Sequence, residues 1–339
     1  MNTFAEVLTK LFAVKALLPD DVRSAFGAVL RGEWTPVQVA SFATALRMVG
    51  ETESTLVAAA LALRDSMVPV DHKFAVVVDT CGTGGDGAFT LNLSSAAAIV
   101  VAASGLVVAK HGNRSVSSHC GSADVFEALG IPLDVPPERQ GAVLRDAGIA
   151  FLFAPAHHPA LRFASQARRE LGVRTVFNAL GPLVNPARAT HQIVGVYDDA
   201  LRVPMARALG ALGVVHAWVV HGEDGLDEVS PCGPTRVSDV VDGTVVERRI
   251  GPEDFGLEPV APEAIAGTNA VGNARILRAI LEGAEHPARD AILLNAAAAR
   301  VVATGEAPRE AVERCRQALP RASKTLDMWK AIAQRERAT

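Results

Sequence analysis

Apolar and polar positions recur with two different periods along this chain, and the change falls near residue 74. Before it, apolar residues return every three or four positions. In TPVQVASFATALRMVG, the set Val39, Phe42, Ala43 and Leu46 forms one stripe of a helix. Thr35 is placed to cap that helix, Pro36 to take its first position and Gln38 to close a capping box, while Gly50 supplies a stop. Thr52 can cap the next helix, TESTLVAAALALRDSM. The first seventy residues read as helical throughout, and a short link, VPVDHK, follows.

From Phe74, β-branched runs take over. FAVVVD, LVVAK, IAFLFAP, HQIVGVYD and HAWVVHG read as strands; SAAAIVVAAS, SADVFEAL, PERQGAVLRDAG and VPMARALGALG between them read as helices. Such alternation predicts an α/β fold with a mostly parallel central sheet under helices, whose ligands gather at the carboxyl ends of strands. The stretch from His158 to Pro186 is helical, interrupts the rhythm, and is expected to pack back on the N-terminal helices. From Asn273 onward the pattern is helical again and should cover the sheet. The organisation expected is a small all-helical domain over 1–71, with a helical insert over about 159–186 packing on it, and a larger α/β domain over 72–339.

With 339 residues the chain can bury a full core, and its high Ala and Val content with few aromatics suits such a fold. The net charge is −4 without any Lys/Arg block, which argues against nucleic acid as a partner. Cys81, Cys120, Cys232 and Cys315 lie far apart without C-x-x-C spacing, so neither a zinc site nor a disulfide framework is indicated. The opening MNTFAEVLTKLFAVKALLPDD carries acids early and lacks the form of a signal peptide. No apolar run approaches the roughly 20 residues that span a bilayer. The expectation is a soluble cytoplasmic enzyme with no membrane partner.

Chemistry concentrates in three loops. The first, DTCGTGGDGAFTLNLSS, contains a literal G-x-G-x-x-G at Gly82, Gly84 and Gly87. A dinucleotide turn needs a helix opening at its third glycine and an acid roughly 20 residues later. Here the loop runs on, Ser94 or Ser95 is the best helix cap, and the first later acid is Asp124. No Gly-Lys-Ser/Thr is present either, so a Walker loop fails as well. What remains is an anion cradle: Gly82, Gly84, Gly85 and Gly87 let backbone N–H groups approach closely, and Thr90, Asn92, Ser94 and Ser95 add neutral donors. The following helix N-terminus adds partial positive charge. A plain surface loop would show the same glycines. Asp86 would repel phosphate unless it orients the loop or a divalent cation lies between them.

The second loop, KHGNRSVSS, delivers Lys110 and Arg114 after a strand, and both could neutralise phosphate; a solvated basic turn is the alternative. The third, HGEDGLDE from His221 to Glu228, puts adjacent carboxylates after a strand. That suits Mg²⁺, which bridges carboxylates to phosphates, although an acidic surface turn reads the same way.

Together, these loops resemble the anthranilate phosphoribosyltransferase family, of the nucleoside-phosphorylase-like fold. The resemblance rests on GTGGD with T-x-N-x-S-S, KHGNR with SS, GSAD, HPA, R-x-x-LG-x-RT-x-FN-x-LGPL-x-NP, HG-x-DGLDE and the late NAAAA, in that order. It implies transfer of the phosphoribosyl group from 5-phosphoribosyl 1-diphosphate (PRPP) to the amine of anthranilate, releasing pyrophosphate, in tryptophan biosynthesis. It also implies a homodimer joined through the helical domain.

Carried onto this chain, it implies that PRPP meets Gly82, Gly85, Asp86, Thr90, Asn92, Leu93, Ser94 and Ser95. Lys110, His111, Gly112, Asn113, Arg114, Ser115, Val116, Ser117, Ser118 and Ser122 would complete that half. Anthranilate would sit near Gly82, Asn113, His158 and Arg168, with Arg168 facing its carboxylate and Arg169 the neighbour in register. Ser94, Asp227 and Glu228 would bind two Mg²⁺ ions per monomer. No covalent intermediate is implied; Lys110 and Mg²⁺ would stabilise the leaving diphosphate. The chain departs from the family at His119-Cys120, where Lys-Ser is frequent, and in PRASKTLDMW. Rival readings are a pyrimidine-nucleoside phosphorylase of the same fold and a silent relative that binds nucleic acid.

Overall fold

The computed structural model describes residues 3–14, 16–115 and 120–338. Four helices open the chain: α1 (Phe4–Phe12), α2 (Pro19–Leu30), α3 (Pro36–Val49) and α4 (Glu53–Ser66). Local chemistry sets their ends. The Thr35 hydroxyl accepts the Gln38 N–H while the Gln38 side chain takes the Thr35 N–H, with Pro36 first in α3 and Gly50 at φ 107° after it. Thr52 caps α4. Val39, Phe42, Ala43 and Leu46 are all buried, as the stripe requires.

The α/β part then runs β1 (Val78–Asp79), α5 (Leu93–Ala103), β2 (Val108–Gly112), α6 (Ser122–Ala128), α7 (Gln140–Ala147) and β3 (Ile149–Phe153). Short α8 (Ala154–His157), then α9 (Arg162–Leu171) and α10 (Val176–Ala179), interrupt it before β4 (His191–Gly195), α11 (Arg202–Ala211) and β5 (His216–Gly222). A hairpin of β6 (Thr235–Val241) and β7 (Thr244–Ile250) follows, then α12 (Ala270–Leu281), α13 (Arg289–Thr304) and α14 (Pro308–Arg337). The sheet order is β3-β2-β1-β4-β5-β6-β7; its first five strands are parallel, and β6 and β7 run antiparallel. Chain order reverses between β1 and β4, so the crevice at their carboxyl ends is a topological switch point.

The expected strands form; β5 matches HAWVVHG as read, and the others have shifted ends. FAVVVD pairs only over Val78–Asp79: Val78 has Val108 on one side and His191 on the other, and Asp79 has Gln192 of β4. β4 stops at Gly195, whose carbonyl accepts the Thr83 N–H at 2.8 Å. The hairpin was not among the expected strands; its signal is Asp242-Gly243, a turn with both residues at positive φ between β-branched runs.

Two apolar clusters hold the molecule together. One lies under α5, α13 and α14. The other joins the helical bundle, the insert and the α11 face of the sheet. Ala164, Ala167 and Val176 of the insert are buried there, and the Phe177 ring stands 5.4 Å from Phe26 of α2. Apolar side chains shared between insert and bundle thus bring α9 over the sheet's carboxyl edge. Among the described residues, no helix is long and apolar enough to cross a membrane.

Candidate active site

One cavity of about 310 Å³ opens at the switch point, in the size range of small-molecule sites. The glycine turn after β1, the basic turn after β2, the acid turn after β5 and the insert all line it. Of the substrate and metal residues anticipated from sequence, all those described line it except Leu93. That side chain is fully buried in the apolar core at the start of α5, where an isobutyl group belongs. Val116, Ser117 and Ser118 lie outside the described residues, as does His119.

The glycine turn is built by conformations that favour glycine. Gly84, Gly85 and Gly87 have φ of 67°, 80° and 77°. No helix opens at Gly87. α5 begins at Leu93 with Asn92 at its cap, not at Ser94 or Ser95, because Asn92 is held on both sides. Its amide donates to the Cys120 carbonyl at 3.1 Å and accepts from Asn273 Nδ2 at 3.0 Å, tying the glycine turn to the basic turn and α12. Ser94 and Ser95 therefore fall in the first turn of α5, where the helix dipole favours an anion. The Ser95 hydroxyl is buried there with no hydrogen-bond partner among the described residues.

Lys110 is buried at the end of β2, its Nζ donating to the Thr80 carbonyl at 2.6 Å and lying 3.5 Å from Ser94 Oγ. Arg114 in the same turn is exposed and pairs with Asp124 and Glu127 at 2.9 and 2.8 Å, so its charge is already met from α6. Of the two cations anticipated for phosphate, Lys110 is the one the fold buries at the cavity.

Of the four acids after β5, two are structural or exposed: Asp224 accepts from the Leu226 N–H and the Ser230 hydroxyl, and Glu223 pairs with Arg249. Asp227 and Glu228 face the cavity, half-buried. The Asn295 side chain, first of the NAAAA run, bonds both the Val229 N–H and carbonyl and so anchors the loop that carries them. Glu228 Oε1 accepts the Ser94 N–H at 3.2 Å. Burial raises the Glu228 carboxyl to about 7 against the opposing charge of Lys110. Burial, then the neighbouring Asp86 and Glu228 charges, push Asp227 well above the usual carboxylate range. The Asp86 carboxyl is within hydrogen-bonding reach of Asp227. Among the described residues, no three His, Cys, Asp or Glu side chains form a metal site by themselves. The donor set still fits a hard cation: two desolvated carboxylates and a hydroxyl with oxygen donors only, the remaining positions left for waters and substrate phosphates.

The other end of the cavity is drier. His111 and His158 are buried with ring centroids 5.1 Å apart, and neither ring nitrogen of His158 makes a well-formed hydrogen bond among the described residues. Burial lowers the His158 imidazole to about 4 and takes His111 well below its ordinary value, so both are neutral near pH 7. Arg168 of α9 is half-buried over Phe177, 5.8 Å from the ring, and pairs with no carboxylate among the described residues. Burial lowers its pKa, which an incoming carboxylate would offset. Arg169 is exposed and does not line the cavity.

Three further residues support the site. Asp79, at the end of β1, is fully buried; it accepts the His111 N–H at 3.1 Å and the Asn185 Nδ2 at 2.7 Å, and burial raises it to about 6. Such a charge-assisted bond is worth about 1.5–3 kcal/mol. The signal for Asp79 was an acid closing an apolar strand; for Asn185 it was the NP of the long insert motif. Arg174, from the same motif, also lines the cavity.

A helical bundle beside a mostly parallel sheet, with an anion cradle facing an acid pair, is the build of a glycosyl transferase. The chain matches that family's a/b domain over residues 75–325 and its helical bundle domain over residues 5–67. An anthranilate phosphoribosyltransferase of Myxococcus xanthus is 49% identical over 319 residues, 94% of each chain. Anthranilate phosphoribosyltransferase from Thermus thermophilus superposes with a TM-score of 0.91 at 39% identity, covering 97% of this chain and 99% of that one. The Saccharomyces cerevisiae enzyme in complex with PRPP and Mg superposes with a TM-score of 0.92 at 29% identity, covering 98% of both chains. The chain belongs to the anthranilate phosphoribosyltransferases of this glycosyl transferase family.

Proposed function

We propose that this protein transfers the phosphoribosyl group of PRPP to the amine of anthranilate, giving N-(5-phosphoribosyl)anthranilate and pyrophosphate in tryptophan biosynthesis. The observation that carries this reading is the meeting of three separate turns, holding Gly85, Lys110 and Glu228, on one cavity.

An aromatic amine is nucleophilic while neutral, so its attack on ribose C1 with inversion needs no strong base. The neutral His111 and His158 are consistent with that demand. The chain's task is to align two substrates and to meet charge developing on the diphosphate. Lys110, the N–H groups of the glycine turn and the first turn of α5 present positive charge to that leaving group. Arg168 orients the acceptor through its carboxylate, beside Gly82, Asn113 and His158. Ser94, Asp227 and Glu228 would hold Mg²⁺, two ions per monomer, which when bound supplies further positive charge to the diphosphate.

We also infer a cytoplasmic homodimer joined through the helical domain, to which the exposed Phe12, Leu18, Val37 and Met48 offer apolar surface. Sedimentation velocity checks the dimer. Loss of anthranilate fluorescence that requires both PRPP and Mg²⁺ supports the activity. No loss under those conditions, or turnover of uridine with phosphate instead, refutes it.

A further inference from the structure

The insert brings a second guanidinium to the cavity, six residues beyond Arg168, and none of the roles above uses it. Arg174 is half-buried between two parts of the donor half. On one side its guanidinium carbon stands 4.3 Å over the ring of Tyr197, just past β4. On the other it abuts the glycine turn: a β-carbon at Gly85 would come within 2.7 Å of its Nη2. No carboxylate pairs with it among the described residues.

Tyr197 is itself fixed to the glycine turn. Its N–H donates to Thr83 Oγ1 at 3.1 Å, and Thr83 in turn bonds the Gly195 carbonyl through both its N–H and its hydroxyl. The next residue, Asp198, pairs at 3.3 Å with Arg47 of α3, which also holds the buried Glu51 at 2.9 Å. The Tyr197 hydroxyl is buried with no hydrogen-bond partner among the described residues, so the ring face is what Tyr197 offers Arg174. Gly85 meets two demands at once: a φ of 80° and room for a guanidinium where any side chain would stand.

A turn of glycines has little to hold its shape, and its N–H groups serve an anion only if their direction is fixed before the anion arrives. We propose that Arg174 is a positioning residue for the sugar-diphosphate half of the site: stacked on Tyr197 and seated against Gly85, it holds the 82–86 turn with its N–H groups facing the cavity. Its role is distinct from that of Arg168, which faces the acceptor. It rests on the functional reading above for the identity of the anion.

Calorimetric titration with PRPP and Mg²⁺ tests the arginine whatever the acceptor, while wild-type turnover of anthranilate tests the functional reading separately. Arg174→Gln should weaken PRPP binding and raise its KM roughly tenfold. The KM for anthranilate at saturating PRPP and the melting temperature should stay unchanged. Tyr197→Leu should reproduce the PRPP defect, and Tyr197→Phe, which keeps the ring face, should not. Unchanged PRPP affinity in Arg174→Gln would overturn the proposal. So would a defect in anthranilate KM instead, which makes Arg174 an acceptor ligand. A PRPP defect in Arg174→Gln with none in Tyr197→Leu also overturns it, because Arg174 would then act on the diphosphate directly.

Discussion

Glu228 Oε1 accepts the Ser94 N–H at 3.2 Å, fastening the acid turn after β5 to the first turn of α5. The two residues stand 134 positions apart in the chain, yet this bond makes one wall of the cavity. It places a carboxylate where an anion cradle alone would exclude one, which is why the proposed function calls for a cation there.

Asp227→Asn and Glu228→Gln should each lower turnover roughly 10²-fold, the scale of losing one group that meets developing charge. The fold should survive. Asp227 is raised by burial and then by the Asp86 and Glu228 charges, so neutralising it relieves repulsion when metal is absent. In EDTA the Asp227→Asn protein should melt no lower than wild type. Full activity of either variant across a Mg²⁺ titration would falsify the metal assignment.

Arg168→Gln should raise the KM for anthranilate roughly ten- to a hundredfold, the worth of a charge-assisted pair. Arg169→Gln, one position on but exposed, should leave it unchanged. Steady-state kinetics at saturating PRPP separate the two, and an equal effect of both changes would put the acceptor elsewhere.

The buried imidazoles predict acid lability. His158, lowered to about 4, binds its proton less readily folded than unfolded. Its stabilising contribution is complete above the unfolded value of about 6.5 and is lost as pH falls toward 4. Asp79, raised to about 6, works the opposite way: its contribution is complete below the ordinary carboxylate value and is lost as pH rises through 6. His158→Gln should therefore lose less melting temperature than wild type between about pH 7 and about pH 5, by a few degrees. An equal loss in both proteins would remove His158 as the cause.

Gly195 admits the Asp227 backbone carbonyl where a side chain would stand; an added β-carbon would collide with it. Gly195→Ala should displace the acid turn, lowering the melting temperature and cutting turnover more than tenfold, as misplacement by about 1 Å can do. Gly233→Ala, with open space around it and ordinary backbone angles, is the control and should be silent. Wild-type activity in Gly195→Ala would show that the turn tolerates the shift.

Short-range physics made much of the chain legible from residue order. Thr35 with Gln38 announced a helix start because a capping box closes within four residues, and HAWVVHG became β5 without a shift because its residues pair along their whole length. The glycine turn could be separated from a dinucleotide turn because the helix start is locally encoded. The cap of α5 lies two or three residues earlier than the serines suggest for the converse reason: Asn92 is held by Cys120 and Asn273, neither of them near it in the chain.

The motifs named the groups that line the cavity, since backbone freedom at Gly85, charge at Lys110 and acidity at Glu228 are properties of residue type. Their meeting required β4 to pair beside β1 and the insert to settle on α2 and α3, both through contacts more than a hundred residues apart. The selection among like residues came the same way. That Arg168 is half-buried and Arg169 exposed, that Lys110 is buried and Arg114 exposed, and that Arg174 sits against Gly85 all depend on which side chains the packed layers strip of water. Periodicity and spacing carry no record of that, because burial and pairing are properties of the folded whole.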